Sequence, residues 1–185
     1  MKFKSLILLF ALALSLSAFA GGKYAGVPKK YHALLDRAMV TAGSNAKELK
    51  KALREIPASE REGMAFLISY MPERDAKTLT ADFLKEHVRY AYKARNEFPW
   101  AKTVPNDIFL NDVVAYVNLN EERESWRKDF YGRFKKYVAN CKTMREAIDS
   151  VNKNIRDEVQ VDYNTKREKA DQAPYESMRQ HMASC

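Results

Sequence analysis

Among the residues of this chain able to do covalent chemistry, Cys141 and Cys185 stand first, and Cys185 closes the run Met182-Ala183-Ser184-Cys185. An even cysteine count in an exported protein permits a Cys141–Cys185 disulfide, which could stabilise the fold by about 2 to 4 kcal/mol through the loop it closes. The sharper chemistry is nucleophilic. At a helix N-terminus, free N–H groups and the helix dipole stabilise a thiolate, and the cysteine's own N–H can donate to an oxyanion. Such a nucleophile needs a base, normally a histidine oriented by a third group. His181 lies four residues before Cys185 and would share a face with it if the stretch were helical, but that helix would consume the start that should activate the thiol. No histidine or acid follows Cys185. These residues alone offer a nucleophile without a base.

The remaining candidates carry less. His32, His87 and His181 are too scattered to suggest a metal site, and no C-x-x-C or H-E-x-x-H occurs, so no metal is expected. P-loop, Rossmann and G-x-S-x-G patterns are also missing, and no glycine follows Gly132 to give a phosphate-cradling loop its backbone freedom. No cofactor is expected. His87 lies on an apolar helix face and reads as a core or boundary residue. Trp126, Phe130, Phe134 and Tyr137 have helical spacing and read as core, with a sugar- or aromatic-binding platform as the alternative. Lys47, Lys50, Lys51 and Arg54 recur at i, i+3, i+4 and i+7, which places four cations on one helix face. A solvated face is the simplest reading, and weak binding to an anionic surface is the functional one. No aromatic residue alternates with these cations to stack bases, so nucleic acid is not expected. In a second cluster, Lys166, Arg167 and Lys169, the charges are interrupted by Glu168 and Asp171.

The elements that must position these residues follow from composition and pattern. The chain has 185 residues, 46% hydrophobic and 30% charged, which suits one ordinary core and excludes collagen-like, low-complexity and wholly disordered classes. Two cysteines exclude a disulfide-dense scaffold. Lys2 and Lys4 precede an apolar run from Leu6 to Leu16, and Ser17-Ala18-Phe19-Ala20 supplies small residues at a cleavage site. This is the layout of a secretory signal peptide over residues 1–20, with cleavage after Ala20. It predicts a secreted or periplasmic protein. The run is shorter than the roughly 20 residues a membrane span needs, and no second one follows, so no stable span is expected. The net charge of +8 falls once Lys2 and Lys4 are removed.

Residues 21–98 read as a helical region. Tyr31, Leu34, Leu35, Ala38 and Met39 mark a first helix that Gly43 stops. Ser44 or Asn45 can cap a second, whose face is Leu49, Ala52, Leu53 and Ile56 before Pro57. Ser59-Glu60-Arg61-Glu62 is a capping-box pattern ahead of Met64, Leu67, Ile68 and Met71. Thr80 can start a fourth helix, carrying Phe83, Leu84, His87, Val88 and Ala91 to about Asn96. Residues 99–185 begin with a break between Pro99 and Pro105. A short helix then runs from Asp107 to Tyr116, a turn spans Asn118-Leu119-Asn120, and a longer helix extends from Glu121 to Val138. Thr143-Met144-Arg145-Glu146 repeats the capping signal before Ala147, Ile148, Val151 and Ile155. Val159-Gln160-Val161-Asp162-Tyr163 alternates like a half-buried strand. Residues 164–173 read as a surface loop and Pro174-Tyr175-Glu176-Ser177 as the start of a helical turn.

Two stretches carry a resemblance. Val104-Pro105-Asn106-Asp107-Ile108-Phe109-Leu110-Asn111-Asp112-Val113, continuing through Tyr116 to Glu121 and Trp126 to Tyr131, resembles the helical region ahead of the catalytic core in bacterial exported transglutaminase-like proteins. Lys169-Ala170-Asp171-Gln172-Ala173-Pro174-Tyr175-Glu176-Ser177-Met178, ending in Ala183-Ser184-Cys185, is similar to the approach to their nucleophile. The resemblance covers 100–185. It implies an α+β, papain-like core entered from a mainly α region, Cys185 as the catalytic nucleophile, a protein or peptide substrate, and amide-bond hydrolysis or acyl transfer. The matching histidine and aspartate would lie on later strands, beyond Cys185. The expectation is an N-terminal portion that is inactive by itself. A helical binding or structural module with a Cys141–Cys185 bridge is the alternative.

Overall fold

The computed structural model of the protein describes residues 22–163 and 172–183. The expected signal peptide, the Lys166 to Lys169 cluster and Cys185 lie outside the described residues. What is described is mainly helical, as expected.

The first helix, α1 (His32–Ala42), follows a 3-10 turn at Lys29–Tyr31 and buries Leu35 and Met39, with Leu34 and Ala38 at the edge of the same core. Gly43 ends it at φ 54°, where a side chain would be strained. Asn45 stands before α2 (Ala46–Glu55) but does not cap it. Its Nδ2 donates instead to the carbonyls of Ala76 and Leu79, at 2.9 and 3.0 Å, tying α4 (Glu73–Thr78) to the start of α2. The capping box expected at Ser59 also fails to form. A 3-10 turn at Ala58–Glu60 delays α3 (Arg61–Tyr70), and Glu62 is drawn 2.9 Å from Lys30 rather than back onto the helix start.

Thr80 does cap α5 (Ala81–Glu97), accepting the Phe83 N–H at 3.2 Å. Leu84, His87, Val88 and Ala91 form its buried face. Gly63 lets α3 lie close to α5: its N–H donates to the Tyr92 hydroxyl at 3.1 Å, and a Cβ there would sit 2.6 Å from Tyr92 Cε2.

Beyond a 3-10 segment at Pro99–Thr103, one helical turn at Asn106–Ile108 widens into a π-turn over Phe109–Val113. The helix expected as far as Tyr116 ends there. Residues 114–126 have no helix or strand, so the helix expected from Glu121 begins later, as α6 (Arg127–Val138). One cause is local: the Glu121 carboxylate takes the N–H groups of Asn118 and Leu119 at 2.6 and 2.7 Å, which closes a turn incompatible with an earlier helix start.

Before α7 (Met144–Val159) the second capping signal is realised. Thr143 Oγ1 accepts the Glu146 N–H at 3.2 Å, and the Glu146 carboxylate accepts the Lys142 N–H at 2.7 Å. The strand expected over Val159–Tyr163 is shorter than its alternation suggests. Val159 is still helical, Gln160 turns left-handed at φ 55°, and only β1 (Asp162–Tyr163) is extended. It pairs in parallel with β2 (Met182–Ala183), which follows α8 (Pro174–Gln180); Asp162 faces Met182 and Tyr163 faces Ala183.

Two apolar clusters result. The larger gathers residues from Tyr24 to Tyr116, drawn from α1 to α5 and the π-turn. The smaller joins Phe98 and Ala101 to Val138 and Ala147, with Trp100, Tyr137, Cys141 and Val151 at its margin.

Candidate functional site

The segment most relevant to Cys185 is its approach, α8 and β2, and what anchors it is the irregular stretch 114–126. This stretch is held by a buried polar centre. Asp75, 1% exposed on α4, receives the Arg123 guanidinium as a fork, with Nε at 3.0 Å from both carboxylate oxygens and Nη2 at 2.9 Å from Oδ2. The Tyr116 hydroxyl donates to the same Oδ2 at 2.8 Å. Burial, and then the Asp75 carboxylate, push the Tyr116 phenol far above its ordinary range. Trp126 Nε1 donates to the Tyr116 carbonyl at 3.1 Å, so both ends of the stretch are fastened together.

His87 forms the second half of the centre. It is fully buried among the rings of Phe83, Tyr116 and Trp126. Its Nε2 lies 3.1 Å from the Glu124 carbonyl, which can only accept, so the proton belongs on Nε2 and Nδ1 is left to accept from Arg127 Nε at 3.4 Å. Burial, reinforced by the Arg127 charge, lowers the His87 pKa to about 3. The ring is a neutral structural link, in keeping with the core reading of its sequence.

Glu124 carries the connection to the C-terminal elements. Its carboxylate accepts the Tyr175 N–H at 2.6 Å in the first turn of α8 and meets Arg179 Nη2 at 3.4 Å. The Tyr175 ring packs edge-on against Phe130, 6.2 Å between centroids. At the other end of α8, His181 is left-handed (φ 53°), its carbonyl accepts the Asp162 N–H at 3.2 Å, and its Nδ1 donates to the Gln160 carbonyl at 2.7 Å. The backbone is extended at Met182–Ala183, so no helix continues from His181 through the described residues that follow it.

The other expected residues sit as follows. Cys141 has a free, half-buried thiol whose Sγ lies 3.6 Å from the Tyr137 carbonyl. Trp126, Phe130, Phe134 and Tyr137 are not core as expected: all four are only half-buried, in a row of ring contacts 5.6, 5.7 and 6.3 Å between centroids. Trp126 meets His87 of α5 and Tyr137 bonds Glu158 of α7, but in α6 only Val138 is fully covered. Lys47, Lys50 and Arg54 are exposed and Lys51 half-buried, but Glu55 lies 3.5 Å from Arg54 and Asp82 4.0 Å from Lys51, so acids interleave the cationic face. His32 bonds the Val27 carbonyl at 3.1 Å. Among the described residues no His, Cys, Asp and Glu side chains gather as a metal-binding set, and no helix is long and apolar enough to cross a membrane.

Asp75, Tyr116, Arg123, Glu124 and Arg127 were not singled out by sequence reasoning. Each reaches a partner distant in the chain, and no local spacing marks such pairs. A cavity of about 790 Å³ runs along the outer side of α5 and is lined by charges of both signs, including Lys85, Glu86, Arg89 and Lys93. Within it, burial raises the pKa of Glu60. The chain matches no family model, no curated protein and no solved structure.

Proposed function

We propose that the protein is an exported transglutaminase-like thiol enzyme, acting on amide bonds of a protein or peptide through an acyl-thioester on Cys185. The signal-peptide layout of residues 1–20 supports export, and the two stretches between Val104 and Cys185 support the family. The observation that carries the reading is the fastening of α8 by Glu124. A nucleophile must be presented from a rigid element, and the helix that leads to Cys185 is tied at its first turn to the buried centre around His87. The reaction would add the thiolate to the amide carbonyl, expel the amine with a proton from a histidine, and pass the acyl group to water or to a second amine. That histidine and its orienting aspartate are required beyond Cys185.

The test is the gene read past the Cys185 codon, followed by assay of the encoded protein on a glutamine-containing peptide. Release of ammonia, or incorporation of an added amine, that is lost in C185A is expected. Activity that survives C185A, or no histidine and aspartate encoded downstream, would sink the proposal. Alkylation without reductant separates the alternative. Two labelled thiols agree with the enzyme, whereas protection of both Cys141 and Cys185 favours the bridged helical module.

A further inference from the structure

Arg127 and Arg123 lie one turn apart in sequence and are treated oppositely. Arg123 is matched by the Asp75 carboxylate. Arg127 is half-buried, yet its partners are all neutral: His87 Nδ1, the carbonyls of Val114 and Ala115, and the Trp126 ring, 4.6 Å from the guanidinium carbon. Its Nη1 makes no hydrogen bond among the described residues. Burial draws its pKa down to about 10, which leaves it charged at neutral pH. A cation drawn partly out of water without a counter-charge is a ready partner for an anionic ligand group.

The guanidinium borders a cavity of about 360 Å³ between the π-turn, the irregular stretch and the start of α8. That volume is at the small end for ligand sites. Val113, Val117 and Pro174 give it apolar wall, and Trp126 lines it beside Arg127. Two carboxylates also line it: Asp112, and Glu121 held in place by two backbone N–H groups. Gln172 borders it too, and its Oε1 is a buried acceptor with no donor among the described residues. A simple anion would gain Arg127 but face Asp112 and Glu121; a simple cation would meet the reverse. A small molecule with both charges separated across it satisfies each side.

We propose that this cavity binds an α-amino acid, with the carboxylate on Arg127, the ammonium toward Asp112, Glu121 and Gln172, and the side chain against Trp126 and the apolar wall. The site is independent of the thiol-enzyme reading and needs no chemistry at Cys185. Because the chain has two tryptophans, Trp100 and Trp126, the full chain with W100F reports on Trp126 fluorescence alone.

L-leucine titrated into W100F is expected to shift the Trp126 emission saturably. Leucinamide and N-acetyl-leucine each lack one charge and are expected to bind about tenfold to a hundredfold more weakly, the factor for losing a charge-assisted hydrogen bond. Acetate and inorganic phosphate should give no shift. D112N, an exposed substitution, should weaken leucine while leaving N-acetyl-leucine, which has no ammonium to lose and meets less repulsion, no weaker, and R127M should abolish leucine binding. Because R127M also removes bonds to the irregular stretch, the ligand series on the unmutated site stands as the primary readout. No saturable shift with leucine, equal binding of leucine and N-acetyl-leucine, or a shift with acetate alone would overturn the proposal.

Discussion

The Glu124 carboxylate accepts the Tyr175 backbone N–H at 2.6 Å, joining two segments that are 51 residues apart in sequence. Because the carbonyl of the same Glu124 is bonded to His87, the first turn of α8 is referenced to the buried centre and not to its own short helix. Replacing Glu124 by Ala is expected to lower stability by about 1 to 2 kcal/mol, the size of a lost charged cap. Urea denaturation measures the loss. Hydrogen exchange should quicken at Ser177 and Met178 while α1 to α3 stay unchanged, and uniform quickening would contradict the arrangement.

His87 gives stability a pH dependence whose sign is fixed by its neutral burial. With a folded pKa of about 3 against an ordinary value of 6.5, the unfolded chain binds more protons between those limits. Stability therefore falls as pH drops below 6.5, by up to about 1.4 kcal/mol per pH unit within the window. Denaturation series at pH 7 and pH 5 should show this slope in the wild type and a flatter one in H87F; equal slopes would remove His87 as its source.

The Asp75–Arg123 pair should behave as one unit. D75N and R123M each strand a buried polar or charged partner and are expected to cost about 3 to 5 kcal/mol. The double variant should cost clearly less than the two losses together. A double-mutant cycle by chemical denaturation reads the difference, and strict additivity would show that the fork contributes no coupling.

Two glycines are expected to respond in opposite directions to alanine. At Gly63 the new methyl meets Tyr92 at 2.6 Å, so G63A should destabilise by about 1 to 3 kcal/mol through overpacking. Gly132 stands exposed in α6 with nothing within 4 Å of its would-be Cβ. There G132A should stabilise by about 0.5 to 1 kcal/mol from helix propensity alone. Thermal melts of both variants decide the matter.

The cationic face of α2 should hold anionic vesicles only at low ionic strength. With Glu55 and Asp82 among the cations, co-sedimentation is expected to vanish as the Debye length falls to about 8 Å near physiological salt. Retention at that salt, or equal retention by K47E/K50E, would show that another surface is responsible.

The helices through Glu97 other than the short α4, and α7 after them, could be read from the chain because their stability comes from apolar residues at helical spacing: Leu35, Leu49, Leu53, Ile68, Leu84 and Val88 are all buried where the period places them. Caps were readable at Thr80 and Thr143, where nothing competes with the serine-type oxygen, and unreadable at Asn45 and Ser59. Asn45 has its amide turned to donate to the Ala76 and Leu79 carbonyls, and the turn at Ala58–Glu60 shifts the helix start. Within 114–126 the turn at Asn118-Leu119-Asn120 is legible, but the helix ends expected at Tyr116 and Glu121 are not, because on either side of that turn the conformation is set from outside. Arg123 answers to Asp75, 48 residues away, and the carbonyl of Glu124 to His87, 37 away. No window of local sequence contains those pairs. The aromatic row from Trp126 to Tyr137 misled for a related reason: its period is helical, but only part of each ring finds a neighbour.

The two apolar clusters differ greatly in size, and this has a bearing on how the molecule breathes. Four buried residues fasten α6 and α7 to the end of α5, against a continuous core beneath α1 to α5. Transient separation of the α6–α7 hairpin is then far less costly than global unfolding. Cys141 lies at the margin of the smaller cluster, so the rate at which its thiol becomes accessible is a built-in clock for that partial opening, running while the larger core remains closed.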